Sequence, residues 1–240
     1  MDQENEPWAS WGQMLPRFLN DQISVANHAE SGLSANTFIS GNRLKKIISQ
    51  MKKGDYVFVE FGHNDQKQKG AGKGAYYSYM TYLKTFIDEV QAKGGNPVLV
   101  TPTRRRRFDK EGRTVNTHGE YPDAVRWIAA KENVPLIDLN NMTGTLYEAL
   151  GESESKKAFV HYPMGSFSGQ KKELADNTHF NPYGAYQIAK CVIEGMKKVT
   201  PELTKYLKTD ISYDPSQPDK VETFLWCPAP FCEMEKPDGN

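Results

Sequence analysis

Short β-rich runs alternate with stretches of helical periodicity along most of this chain, and that alternation constrains the fold more than any other feature. Residues 55–61 (DYVFVEF) and 96–101 (NPVLVT) read as strands, and residues 23–27 (ISVAN) and 135–138 (PLID) as shorter ones. Near-continuous apolar strands are what a sheet covered on both faces requires. Between them, residues 43–51 place Leu44, Ile47, Ile48 and Met51 at i, i+3, i+4, i+7. Residues 76–92 repeat the spacing with Met80, Leu83, Phe86, Ile87 and Val90, stopped by Gly94-Gly95. Residues 121–132 and 181–199 read as two further helices, the second opening with Asn181 as N-cap and Pro182 at N1. Repeated βα alternation predicts an α/β fold with a parallel sheet between layers of helices.

Composition narrows the function classes. Thirty Lys+Arg against thirty Asp+Glu give a formal charge of zero over 240 residues. Recognition of nucleic acid or an anionic membrane by bulk charge is thereby disfavoured, and anion binding must be local. With 38% apolar and 11% aromatic residues, a chain this long can bury a substantial core. One domain over 1–208 is expected, followed by an irregular Pro-, Asp- and Ser-rich tail or linker over 209–240. No apolar run approaches the roughly 20 residues of a membrane span. The opening MDQENEPWASWG is acidic and polar, unlike a signal peptide. Three cysteines fit neither a disulfide framework nor a zinc site.

In parallel sheets the working residues collect beyond the carboxyl ends of the strands. Three polar clusters sit at such ends or beside the last helix: residues 27–32 (NHAESG), 62–65 (GHND) and 176–179 (DNTH). Asp176 and His179, three apart, can reach one place from a turn and helix start. A carboxylate beside an imidazole fixes its tautomer and stabilises the imidazolium during general-base catalysis. Asn64 offers a side-chain donor, and Gly32 a backbone N–H without a Cβ in the way, the parts of an oxyanion hole. Each cluster also has a plain reading: a chance DxxH, or an Asn-Asp turn after a strand. His63, Asp65, Asp176 and His179 are chemically suited to a metal, but no HExxH or cysteine pair accompanies them. No metal or other cofactor is expected, and His63 is expected to pack or hydrogen-bond within the GHND loop.

With these motifs the chain resembles the SGNH (GDSL-type) hydrolases. Ser31-Gly32, GHND at 62–65 and DNTH at 176–179 are similar to that family's second, third and fifth blocks. WGQMLPRFL at 11–19, EFGHND and DNTHFNPYGA resemble the rhamnogalacturonan acetylesterase branch more narrowly, and the likeness runs from about residue 11 to 198. The resemblance implies a three-layer α/β/α, flavodoxin-like fold and hydrolysis of acetyl esters on sugars. It implies His179 as general base, Asp176 as its orienting partner, and Gly32 and Asn64 as oxyanion donors. It also implies a secreted or periplasmic full-length protein acting on an acetylated polysaccharide or oligosaccharide; from the charge balance, no nucleic-acid or membrane partner is expected. Oligomeric state stays open.

The family's first block, a strand ending in Gly-Asp-Ser whose serine is the nucleophile, has no counterpart here. Ser10 and Ser31 lie nearby, but neither stands at a strand-to-turn junction with glycine support. The expectation is an N-terminally incomplete esterase lacking its first, central strand, inactive or impaired as it stands. Either residues 23–27 pair directly with 55–61, or a cleft stays open, at a cost in stability. A non-catalytic carbohydrate-binding pseudoenzyme and an esterase or lipase for another acyl ester are the competing readings.

Three further features stay open. Arg104, Arg105, Arg106 and Arg107 follow a strand end. They read as a solvated loop, or as bidentate contacts to galacturonate carboxylates of a pectic substrate. Residues 76–82 (YYSYMTY) read as a helix face at the core and its rim, with sugar stacking as the alternative. Trp226, Cys227 and Cys232 read as a strap, with a Cys227–Cys232 disulfide conceivable in an exported protein.

Overall fold

The computed structural model describes residues 7–167, 170–208 and 211–226. In chain order the helices are α1 (Trp11–Met14), α2 (Ala35–Ser40), α3 (Arg43–Gln50), α4 (Met80–Ala92), α5 (Tyr121–Glu132), α6 (Leu139–Glu154) and α7 (Pro182–Val199). The strands are β1 (Tyr56–Glu60), β2 (Asn96–Val100), β3 (Leu136–Ile137), β4 (Phe159–Tyr162) and β5 (Leu174–Phe180). Two compact units result, one built from 28–103 and 118–140, the other from the described parts of 7–27, 104–117 and 141–226.

The first unit holds a parallel sheet in the order β1-β2-β3, with Val59 opposite Leu99 and Val100 opposite Ile137. Val59 and Leu99 share a face and are buried with Phe38, Leu83, Phe86, Ile87, Val125 and Ile128 from α2, α4 and α5. Val98 and Val100, pointing the other way, are buried as well. Burial on both faces is the reason these strands read as unbroken apolar runs. The helix α4 buries Leu83, Phe86, Ile87 and Val90, the spacing of one helical face. It ends where Gly94 takes φ of 80°, and the Gly95 N–H returns to Val90 O at 2.9 Å. The architecture is α/β of the three-layer α/β/α class.

In the second unit β4 and β5 pair antiparallel, α1 packs on α7, and Ala9 bridges to Phe180. The expected cap of α7 is formed: the Asn181 side chain accepts from Gly184 N–H at 3.0 Å. Its amide also donates to Lys157 O at 2.8 Å and Phe159 O at 3.1 Å. Residues 211–226 run irregularly along α7. Tyr213 donates to Gln187 Oε1, Asp219 holds Lys190 at 2.6 Å, and Phe224 packs against the Tyr183 and Tyr186 rings. Trp226 stacks on Phe224, whereas Cys227 and Cys232 lie outside the described residues.

Two expectations are corrected. Residues 23–27 form no strand: hydrophobic β-formers become a strand only where a neighbour supplies a ladder. Among the described strands β1 has β2 as its single neighbour, so direct pairing of 23–27 with β1 does not occur. Residues 176–179 are not a turn at a helix start but part of β5.

Candidate active site

The loop after β1 is shaped by Gly62. Its φ is 136°, and a Cβ there would stand 2.8 Å from Pro102 Cγ, so both backbone and space require glycine. Three residues on, Asp65 is buried. Its carboxylate accepts Gly62 N–H at 3.0 Å and Ala35 N–H at 2.9 Å. Burial pushes the Asp65 carboxyl up to about 6, against the opposing pull of those N–H groups.

Asn64 Nδ2 donates to Leu33 O at 3.2 Å, and Gln68 Nε2 to Ser34 Oγ at 2.8 Å. The segment after Gly32 and the GHND loop are thus stitched together, as two cooperating donors would need. Lys67 Nζ, 2.7 Å from Asn64 Oδ1, fixes which way the amide faces. An amide nitrogen has two hydrogens, so Asn64 keeps one beyond its bond to Leu33. Gly32 has φ of 82° and open space where a Cβ would be. His63 packs edge-on against the His118 ring, centroids 4.4 Å apart.

In the other unit, Asp176 and His179 sit on a bulge. Phe159 pairs with Phe180 and His161 with Ala175. Residues 176–179 therefore stand opposite Val160 alone, a register shift of the kind that re-aims side chains out of a strand. Asp176 Oδ1 accepts the N–H of Thr178 at 2.7 Å and of His179 at 3.1 Å, while Oδ2 meets His179 Nδ1 at 2.6 Å. Partial burial works against the Asp176 carboxylate. The bonds from His179 and the two N–H groups, with the imidazole charge, outweigh it and hold its pKa below the ordinary value. With Nδ1 facing a carboxylate, that nitrogen carries the hydrogen, and Nε2 is left to accept a proton.

The arginine run divides. Arg104 Nη1 donates to Thr114 O and Oγ1 at 3.0 and 2.6 Å, Arg105 Nη1 lies 3.2 Å from Thr117 Oγ1, and Arg107 is exposed. Arg106 is buried and reaches Asn177 Oδ1 at 2.8 Å. The solvated-loop reading therefore describes Arg107 but not Arg104 or Arg106. Of the tyrosines, Tyr79 is buried with its hydroxyl on Phe61 O at 2.8 Å, whereas Tyr76 and Tyr77 face solvent.

Sequence reasoning passed over Asn177 and His161, whose Nε2 lies 3.0 Å from Asn177 Oδ1. Asn177 sits inside the DNTH motif, which was the available signal. A cavity of about 480 Å³ beside them is lined by Lys156, His161, Tyr162, Met164 and Glu173, among others. Among the described residues, no group of three or more His, Cys, Asp or Glu is placed to hold a metal ion. No described helix is long and apolar enough to cross a membrane.

Residues 2–186 match the GDSL-like Lipase/Acylhydrolase family. The chain is 41% identical over 201 residues to rhamnogalacturonan acetylesterase RhgT of Bacillus subtilis (strain 168), covering 84% of this chain and 86% of that one. It is 33% identical over 197 residues to the probable rhamnogalacturonan acetylesterase YesY of the same organism, covering 81% and 86%. The crystal structure of Bacillus subtilis YxiM is similar with a TM-score of 0.69 at 27% identity, over 81% of this chain and 51% of that one. The chain thus spans about half the length of that solved protein. The chain belongs to the GDSL-like lipase/acylhydrolase family, an esterase family, and resembles its rhamnogalacturonan acetylesterase branch.

Proposed function

We propose that the chain is the greater part of a carbohydrate O-acetyl esterase acting on acetylated rhamnogalacturonan or a similar plant cell-wall polysaccharide. The observation that carries this reading is the 2.6 Å contact of His179 Nδ1 with Asp176 Oδ2, on a bulge that leaves Nε2 to take a proton. The names of the relatives support the acetylated-polysaccharide substrate. A polymer outside the cell supports a secreted or periplasmic location.

In this reading a serine attacks the acetyl carbonyl carbon and His179 Nε2 receives its proton. Asp176 holds the imidazolium that forms, and Gly32 N–H with the Asn64 amide stabilises the oxyanion. The sugar hydroxyl leaves with the proton from His179, and water, deprotonated by the same nitrogen, releases acetate. The serine belongs to a Gly-Asp-Ser block that these 240 residues do not contain. In this reading the residues described supply the base and the oxyanion donors, and that block supplies the nucleophile.

Acetate release from acetylated rhamnogalacturonan, acetylxylan and a small aryl acetate tests the reading. The substrates are offered to the chain with the family's first strand and serine joined upstream. Preference for rhamnogalacturonan supports it. Turnover of the aryl ester alone would move the substrate to another acyl class. Binding of polymer with no acetate release from the joined chain would favour a carbohydrate-binding pseudoenzyme.

A further inference from the structure

The polypeptide at the bulge has left the β ladder, so something other than the sheet must hold it. Residue 177 lies between Asp176 and Thr178, and Arg106 holds it through both its backbone and its side chain. Arg106 N–H donates to Asn177 O at 2.8 Å, and Arg106 Nη1 donates to Asn177 Oδ1 at 2.8 Å. Backbone and side chain of Asn177 are thus gripped together. Arg106 is itself immobilised: Nε donates to Ser155 Oγ at 3.0 Å, Nη2 to Glu152 O, and the guanidinium lies 5.7 Å from the centre of the Phe108 ring. His161 Nε2, opposite on β4, approaches the same Asn177 Oδ1 at 3.0 Å.

We propose that Arg106 is a positioning residue of the Asp176–His179 pair, acting through Asn177. The inference rests on the reading of that pair as the esterase's carboxylate and base. Arg106 is 8% exposed, and its hydrogen bonds go to neutral oxygens. A buried cation paired this way is costly compared with an apolar side chain of the same bulk. What an apolar residue cannot supply is the rigid, planar fork that binds three acceptors in fixed directions. Here those directions join residues 152–155 to the tip of the bulge. A catalytic pair must be held to a fraction of an ångström, and supporting hydrogen bonds do that holding. With the clamp released, residue 177 can move and Asp176 no longer stays at 2.6 Å from His179 Nδ1.

The experiment needs no nucleophile and uses the 240-residue chain. Imidazole nitrogen shifts are followed by NMR, in alkaline solution where the rings are neutral, in the parent, Arg106→Gln, Arg106→Lys, Asn177→Ala and the Arg106→Gln/Asn177→Ala double variant. His28, His63 and His118 serve as internal controls. The contact of His179 Nδ1 with Asp176 Oδ2 at 2.6 Å holds the ring in its Nδ1–H tautomer, so loosening that contact should move His179 toward the Nε2–H tautomer. The change should be the same in Arg106→Gln, Asn177→Ala and the double variant, because both residues act through one contact. Lysine, which can donate to Asn177 but cannot also hold residues 152 and 155, should restore part of the parent's tautomer. If thermal stability drops while the His179 tautomer stays as in the parent, Arg106 is merely structural and the proposal is overturned. Should Arg106→Gln fail to fold, Asn177→Ala decides alone, since Asn177 is exposed; an unchanged His179 tautomer there overturns the proposal equally. The tautomer bears on the clamp, whereas absence of acetate release from the joined chain bears on the function.

Discussion

Asp65 Oδ1 accepts the Ala35 N–H at 2.9 Å, so one buried carboxylate ties the loop after β1 to the first turn of α2. Burial raises this carboxyl from 3.8 to about 6, which means the folded state binds its proton more tightly than the unfolded state. Its contribution to stability is complete below pH 3.8 and is lost as pH rises through about 6. Between pH 5 and 7.5 that loss is about 1.4 kcal/mol. Urea unfolding of the parent and Asp65→Asn at both pH values checks it. The parent's advantage over the variant should shrink by about that amount at the higher pH, and a constant or growing advantage would contradict it.

The start of α7 should be intolerant of small changes. Asn181 satisfies Gly184 N–H and two carbonyls from a site only 6% exposed. Asn181→Ala leaves all three groups without it, two of them in buried contacts, and is expected to cost about 3 kcal/mol. Gly184→Ala should cost at least as much, because its Cβ would fall 1.9 Å from Ala158 O, which is backbone and cannot swing aside. Denaturant midpoints of the two variants provide the check, and a loss below about 1 kcal/mol in either would refute the packing described.

Arg104 and Arg107, three apart in one run, should behave differently. Arg104→Gln removes bonds to Thr114 O and Oγ1 and should destabilise the chain by about 1–3 kcal/mol. Arg107 is exposed, and Arg107→Gln should stay within about 0.5 kcal/mol of the parent. At Arg107, unlike Arg104, weaker binding of a galacturonate-containing polymer can be separated from loss of fold. Calorimetric titration of such polymer into both variants, alongside their Tm values, distinguishes the two effects.

The parallel sheet was legible because Val98, Leu99 and Val100 are buried whichever face they point to, and such strands show as apolar runs. The helix α4 was legible because Leu83, Phe86, Ile87 and Val90 repeat with the helical period. Residues 23–27 misled for the converse reason: Ile-Ser-Val has strand character, but pairing is a property of a neighbour and not of the run itself. Asp176 and His179 were legible as a pair through their spacing, yet not as strand: the side chains of β5 alternate between half-buried and exposed, but the polar run DNTH shows no apolar/polar alternation by which to read it. Arg106 was illegible because its partner Asn177 lies 71 residues away. Nothing local separates a buried arginine from three half-buried or exposed neighbours.

Reaction of the 240-residue chain with a fluorophosphonate probe tests the assignment of chemistry most directly. Ser10 precedes α1 with its own N–H on Gln13 Oε1 at 2.8 Å, and Ser31 is exposed in the turn at Gly32. Neither is set on a strand end as a nucleophile is. No label and no serine-dependent acetate release are expected from these residues. Both should appear when a strand ending in Gly-Asp-Ser is joined upstream. His179→Ala in the joined chain should then lower kcat by a factor on the order of 10⁶. Robust labelling of the 240 residues at Ser10 or Ser31 would contradict the account and would locate a nucleophile within them.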